Sequence, residues 1–230
     1  MNAIGLQFPK ANPKTLRSEA LNILRSAIIN GQLLPGEHLK EVDLSEKMAI
    51  SRSPIREALR SLEEENLVES VPNQGCYVKT YSMREIQEIF ALRAALENLA
   101  CELLIGEHRL DDNDFDELEN YIVRQKHAIQ QQDINGLTSL DMDFHEFLCR
   151  KSGSTLLWKT WRGLRNQVQV LFYQRFRVNE QISETVDEDH RGILNALRRG
   201  DLDELAHLNK TINARVANEC IAVFQQFGKL

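Results

Sequence analysis

The chain has 230 residues, 42% of them hydrophobic and 27% charged, with a formal net charge of −6. That length allows two modest domains with a core each, and the balance is that of an ordinary globular protein rather than a disordered or fibrous one. No apolar run approaches the ~20 residues of a membrane span, and Met1 to Pro13 lack the apolar centre of a secretory signal, so the expected location is the cytoplasm.

Leu16, Ala20, Ile23, Leu24, Ala27 and Ile28 recur at helical spacing, which predicts a helix over 16–30 stopped by Gly31. Leu34-Pro35-Gly36 is a turn. A short amphipathic helix from Glu41 to Met48 follows, then the tight connection Ala49-Ile50. A second helix starts at Ser51–Ser53 and runs to about Glu65, with Pro54 at a favourable early position and Ile55, Ala58, Leu59 and Leu62 as its core face. Leu67–Val71 and Cys76–Tyr81 read as strands around the hairpin Pro72-Asn73-Gln74-Gly75. Beyond Pro72 there is no further proline. Ser82-Met83-Arg84-Glu85 is a capping box opening a helix to about Ile105, and further helices are expected over 112–131, 136–151, 154–177, 180–199 and 201–227. Gly153 and Gly200 mark two of the breaks. The expected fold is mainly α: a winged helix-turn-helix in residues 1–80 and an antiparallel all-helical bundle in residues 82–230.

Net acidity argues at first against a nucleic-acid partner. Residues 1–80, however, carry 10 basic and 10 acidic side chains, so the whole excess lies in 81–230. A neutral head on an acidic body can bind DNA if its basic residues share a face. Arg52, Arg56 and Arg60, at i, i+4 and i+8, form such a stripe, roughly 110° around the helix from the apolar one. Three guanidiniums on a recognition helix suit guanine edges and phosphates in the major groove. Ser51 and Ser53, beside the helix N-terminal amides, are phosphate ligands by the same logic, and Asn73, Gln74 and Gly75 form the wing tip. The alternative is a solvated face in which these arginines pair with Glu57, Glu63 and Glu64.

Leu34-Pro35-Gly36-Glu37-His38-Leu39, Ser51 to Leu62 (SRSPIREALRSL), Asn66-Leu67-Val68 and Gly75-Cys76-Tyr77-Val78 resemble the GntR-type DNA-binding domain over essentially all of residues 15–80. The resemblance implies that the matching arginines and the wing glycine region contact operator DNA. Some subgroups carry a further arginine where this chain has Val42. The helical remainder resembles the FadR subgroup with its effector-binding (FCD-like) bundle, which implies a dimer on an inverted-repeat operator, released or tightened by a small effector.

Polar residues interrupt the bundle's apolar stripes. Arg93 falls on the stripe of Ile86, Ile89, Phe90, Leu96, Ala100 and Leu103. A buried arginine needs a carboxylate, and the partner is either Glu97 at i+4 or, as the resemblance implies, an anionic effector. Asp141 and His145 share a face beside Leu137, Leu140, Phe144, Phe147 and Leu148, while His190 shares a stripe with Val186, Ile193, Leu194 and Leu197. Two histidines and an aspartate converging inward can bind a divalent metal with positions left open, or line a metal-free pocket. In metal-binding members of the subgroup these three match ligands, and a further histidine follows about 22 residues after His190, where this chain has Ile212. His207 points roughly 140° away from that place on a helix. Asn209 shares the inward stripe with Leu205, Ile212 and Val216, and Arg165 and Gln169 border the stripe of Trp158, Trp161, Leu164, Val168 and Leu171, so all three are candidate effector contacts.

The four scattered cysteines (Cys76, Cys101, Cys149, Cys220) contain no CxxC pair and read as reduced thiols. The expected function is transcription regulation through operator DNA, a homodimer, and a small carboxylate effector, with zinc, nickel or manganese as the candidate cofactor. Two alternatives differ in class. One is a metal-dependent enzyme with His145 or Glu146 as base, against which stand the lack of an HExxH motif and the presence of the DNA-binding head. The other is an architectural DNA-binding protein, which has no use for inward-facing Arg93, Asp141, His145 and His190.

Overall fold

The computed structural model describes residues 14–178 and 184–227. The expectations for Met1 to Pro13, and for a helix already under way at 180–183, lie outside these residues.

The head opens with α1 (Lys14–Ile29), which buries Ala20, Leu24 and Ile28 on one stripe. It stops where the sequence predicts. Gly31 has φ +64°, and the Tyr173 ring lies so close that a Cβ there would collide with it, so glycine is required on both counts. Next come β1 (His38–Leu39), α2 (Glu41–Met48) and α3 (Arg52–Glu64). The turn between the two helices is short because Ala49 adopts a left-handed C-cap (φ +53°), returning its N–H to the end of α2. Ile55, Ala58 and Leu62 of α3 are fully buried, each large side chain contributing about 1.5–3 kcal/mol by leaving water.

β2 (Val68–Val71) and β3 (Gly75–Val78) form the hairpin, and β1 joins it in an antiparallel sheet of order β1-β3-β2. The two-residue β1 was not expected, because so short a strand leaves no period to read. β3 ends before the expected Tyr81. Tyr81 leaves the sheet to bury its ring edge-on against Phe224 and to donate to the Asn66 carbonyl at 2.8 Å.

The bundle comprises α4 (Met83–Gly106), α5 (Asp112–Gln130), α6 (Ile134–Lys151), α7 (Thr155–Val178), α8 (Glu184–Arg199) and α9 (Leu202–Phe227). The capping box of α4 forms as read, with Ser82 Oγ accepting from Glu85 N–H and Glu85 accepting from Ser82 N–H. α6 starts two residues earlier than expected because Asp133 caps it, accepting from Gly136 N–H at 2.9 Å. One apolar cluster runs without a break from α1, α3 and the sheet into α4, α6, α7 and α9, so head and bundle share packing. A second joins Cys101 and Leu104, Leu118 and Ile122, Phe144, Phe147 and Leu148, Ile193, Leu194, Ala196 and Leu197, and Leu205. No helix among the described residues is long and apolar enough to cross a membrane.

Candidate functional site

The head presents α3 along its solvent side. Arg52, Arg56 and Arg60 are exposed, as are Ser51 and Ser53. Ser51 is the N-cap residue, yet its side chain makes no capping hydrogen bond, which leaves hydroxyl and first-turn amides together for a phosphate oxygen. The arginines do not pair with Glu57, Glu63 or Glu64. Arg56 instead clasps Glu41 of α2, with Nε–Oε1 and Nη2–Oε2 both at 3.0 Å. Glu57 lies beside Arg17, and Glu63 accepts from Ser70 N–H. The side-chain hydrogen bond from Arg56, together with the charges of Arg56, Arg52 and Arg60, lowers the Glu41 carboxyl below its usual range. Arg52 and Arg60 form no ion pair among the described residues. Val42 is exposed on α2 and offers no charge where some subgroups have one. At the wing, Asn73 (φ +62°) and Gly75 (φ +111°) turn the hairpin, and Asn73, Gln74 and Gly75 are all exposed. A Cβ on Gly75 would sit 2.5 Å from Nε2 of His38, whose ring stacks on Tyr77.

A second cluster is buried in the bundle. α6 carries Asp141 and His145 one turn apart, and α8 brings His190 across from them. His145 Nε2 lies 3.1 Å from His190 Nε2, and His190 Nε2 lies 3.3 Å from Asp141 Oδ1. One ligand atom from each residue falls within 4.8 Å of the others, and all three side chains are buried. Gln125 of α5 holds His190 Nδ1 against its Oε1 at 2.8 Å, which orients the ring so that Nε2 faces Asp141 and His145. Glu97 Oε1 lies 3.1 Å from His145 Nδ1, out of line for a good hydrogen bond but close enough to orient the ring. Lone-pair atoms this close repel unless a proton or a cation lies among them. With outer carboxylate and carboxamide groups behind the imidazoles, the donor set fits a divalent metal.

Burial works against ionising Asp141, yet the hydrogen bond to His190 and the nearby Arg93 charge hold its carboxyl well below the ordinary value. Burial also dominates at His145 and lowers its pKa, favouring the neutral ring that a metal ligand must be, although Glu97 opposes the shift. Arg93 lines the same cavity but is already engaged. Its Nε donates to Glu97 Oε1 at 2.8 Å and its Nη2 to Asp141 Oδ2 at 3.4 Å. Trp161 Nε1–H adds a third contact to Glu97, at 3.1 Å.

The cavity measures about 20 Å³, room for one water-sized atom, and lies among α4, α6, α7, α8 and α9. Ile212 is on its wall, as the helical register of α9 predicts. Three expected effector contacts are not. Arg165 pairs with Asp143 (2.6 Å) and Glu146 on the other face of α6. Gln169 is half-buried on α7 away from the cavity lining. Asn209 is buried, but it donates to Asn98 Oδ1 at 2.7 Å and is not part of the cavity lining. These places fall instead to Arg175, Asp189 and Asn213, which sequence reasoning missed. A signal was present. Arg175 continues the stripe of Val168 and Leu171, and Gln125 that of Leu118 and Ile122, so each is a polar residue at an apolar position.

Comparison with known proteins bears on both sites. The family model for "Bacterial regulatory proteins, gntR family" matches residues 16–78, and that for the "FCD domain" matches residues 88–214. The HTH-type transcriptional regulator YdhC of Bacillus subtilis (strain 168) is 28% identical over 208 residues, covering 88% of this chain and 92% of its own. The HTH-type transcriptional repressor RspR of Escherichia coli (strain K12) is 28% identical, with 84% and 83% covered. The crystal structure of a transcriptional regulator GntR from Rhodococcus sp. RHA1 superposes with a TM-score of 0.75 over 90% of this chain and 97% of that one, at 24% identity, which speaks to fold alone. These relatives are transcription regulators and not enzymes. The chain belongs to the GntR family of bacterial transcription regulators, and its helical bundle is an FCD domain.

Proposed function

We propose that this regulator works as a cytoplasmic homodimer on an inverted-repeat operator, with residues 1–80 reading DNA and residues 82–230 sensing a small carboxylate effector at a metal-assisted site. The single observation that carries the reading is the burial of Asp141, His145 and His190 with one potential ligand atom from each within 4.8 Å of the others, backed by Gln125 and Glu97. A bundle core gains nothing from burying unfilled polar groups, each of which costs on the order of 1–3 kcal/mol. A bound zinc, nickel or manganese ion would supply positive charge and open coordination positions for an effector oxygen. Ile212 leaves three protein ligands rather than four.

A chain of contacts along α7 supports coupling between the cavity and the DNA-binding head. α7 contributes Phe172 and Arg175 to the cavity wall. The same helix carries Asn166, whose Nδ2 donates to Glu65 Oε2 at 3.0 Å. Glu65 is the C-cap residue of α3 and also accepts from Arg25 Nε of α1 at 2.8 Å. On this reading a shift of α7 reaches the end of α3 through Glu65, and a coupling of ~1–3 kcal/mol suffices for regulation.

Calorimetric titration of zinc into chelator-treated full chain tests the metal site. The expected order of affinity is Ile212→His tightest, wild type intermediate, His190→Ala weakest. Equal, negligible affinity of all three would overturn the metal and leave Asp141, His145 and His190 as hydrogen-bonding groups of an organic pocket.

A further inference from the structure

Glu41 stands among the three arginines that α3 turns to solvent. It is the first residue of α2. Its carboxylate takes the Nε–Nη2 edge of the Arg56 guanidinium, with Nε–Oε1 and Nη2–Oε2 at 3.0 Å and a longer Nε–Oε2 contact of 3.3 Å. The charges of Arg52 and Arg60 act on the same carboxyl and help to keep it ionised. Among the described residues, neither of those arginines is held by a carboxylate in this way. The Arg56 side chain is 57% exposed and that of Glu41 32%, so the clasp lies within reach of a DNA surface laid against α3.

A guanidinium carries five N–H donors in a rigid fork. With the Nε–Nη2 edge taken, Arg56 keeps both N–H groups of Nη1 and one of Nη2, and its Nη1–Nη2 edge presents two of these in parallel. Two parallel donors match N7 and O6 of guanine in the major groove, and no other base offers a pair of acceptors there. A phosphate also offers two oxygens, so geometry alone does not separate base from backbone. Charge does. A phosphate at this edge brings its full negative charge close to the Glu41 carboxylate, whereas guanine brings only partial charges. The clasp also orders the arginine before DNA arrives, which reduces the freedom lost on binding.

We infer that Glu41 is a specificity-determining residue of the head, positioning Arg56 to read a guanine and disfavouring its use on phosphates. Arg56 makes the base contact, and Glu41 acts through it as a positioning residue. The inference rests on the reading of α3 as the recognition helix.

The test uses the full-length protein and a duplex selected from a random pool. Fluorescence anisotropy at fixed salt is measured on that duplex, on its single-base-pair variants and on a scrambled duplex. Wild type should show one guanine in each half-site whose replacement weakens binding ~10-fold or more, and Arg56→Ala should be indifferent to that replacement. In Glu41→Ala the preference for this guanine should fall to ~3-fold or less, preferences elsewhere should stay within ~2-fold of wild type, and the scrambled duplex should bind ~3-fold or more tighter. Glu41→Gln keeps an acceptor for the guanidinium but not the charge. It should therefore retain more of the guanine preference than Glu41→Ala while matching its gain on scrambled DNA. Neither substitution should move the urea midpoint much, because ion pairs open to solvent add little stability.

Unchanged base preference and unchanged binding to scrambled DNA in Glu41→Ala overturn the inference and leave α3 as the recognition helix. A uniform loss at every position with a lowered urea midpoint also overturns it, making Glu41 a structural tie between α2 and α3. A wild type with no Arg56-dependent guanine overturns it as well. If Arg52→Ala and Arg56→Ala both bind the selected duplex like wild type, the reading of α3 itself fails.

Discussion

Arg93 sits where the apolar stripe of α4 calls for a leucine, and the sequence leaves two partners open for it. In the structure it is 4% exposed, bonded to Glu97 and to Asp141, and stacked 5.1 Å from the Phe172 ring centre. Removing its charge strands Glu97, whose carboxyl stays near pKa 2 against the cost of burial chiefly because of the Arg93 charge. Arg93→Met is therefore expected to destabilise the fold by ~3–5 kcal/mol, read as a lowered midpoint in urea unfolding. A variant as stable as wild type would show that the pair is dispensable and reopen a role for Arg93 in ligand binding. The metal candidates were legible because i, i+4 spacing on α6 and one inward position on α8 define them. Arg175 and Asn213 were not singled out, although both lie at inward positions. Their place on the cavity wall depends on how α7 and α9 pack against α6 and α8, and periodicity does not carry that information.

At the scale of elements, helices and their ends were readable because caps and stops are local chemistry. The Ser82–Glu85 box, Gly31 and the left-handed turn before α3 each sit where a few residues dictate backbone geometry. Pairing across the chain was less readable, as β1 and the early end of β3 show. The contact of Asn166 with Glu65 joins residues 101 positions apart, and nothing in either local pattern announces it. Asn166→Ala leaves Glu65 with Arg25, so a stability change below ~1 kcal/mol is expected. The variant should bind operator, but its affinity should respond to effector several-fold less than wild type. A full response in fluorescence anisotropy would remove this contact from the coupling route.

Across the whole molecule, the charge that first argued against DNA lies entirely outside the first 80 residues. The head is electrically neutral, yet it displays Arg52, Arg56 and Arg60 together on one exposed helix face. The bundle pairs many of its surface charges with one another, as in Arg191 with Glu119 and Asp187, and buries Arg93, Glu97, Asp141, His145 and His190. On the proposed function, the exposed face of α3 meets phosphates and base edges and the interior of the bundle meets a small molecule, with α7 between them. The most direct test is fluorescence anisotropy on an inverted-repeat duplex selected from a random pool, with zinc-loaded protein and a panel of short-chain carboxylates at fixed salt. At least one carboxylate is expected to shift wild-type affinity ~5-fold or more, His190→Ala is expected not to respond, and Arg52→Ala is expected to bind ~1–3 kcal/mol more weakly with or without ligand. A His190→Ala protein that responds like wild type, or an Arg52→Ala protein that binds like wild type, would contradict the proposed function.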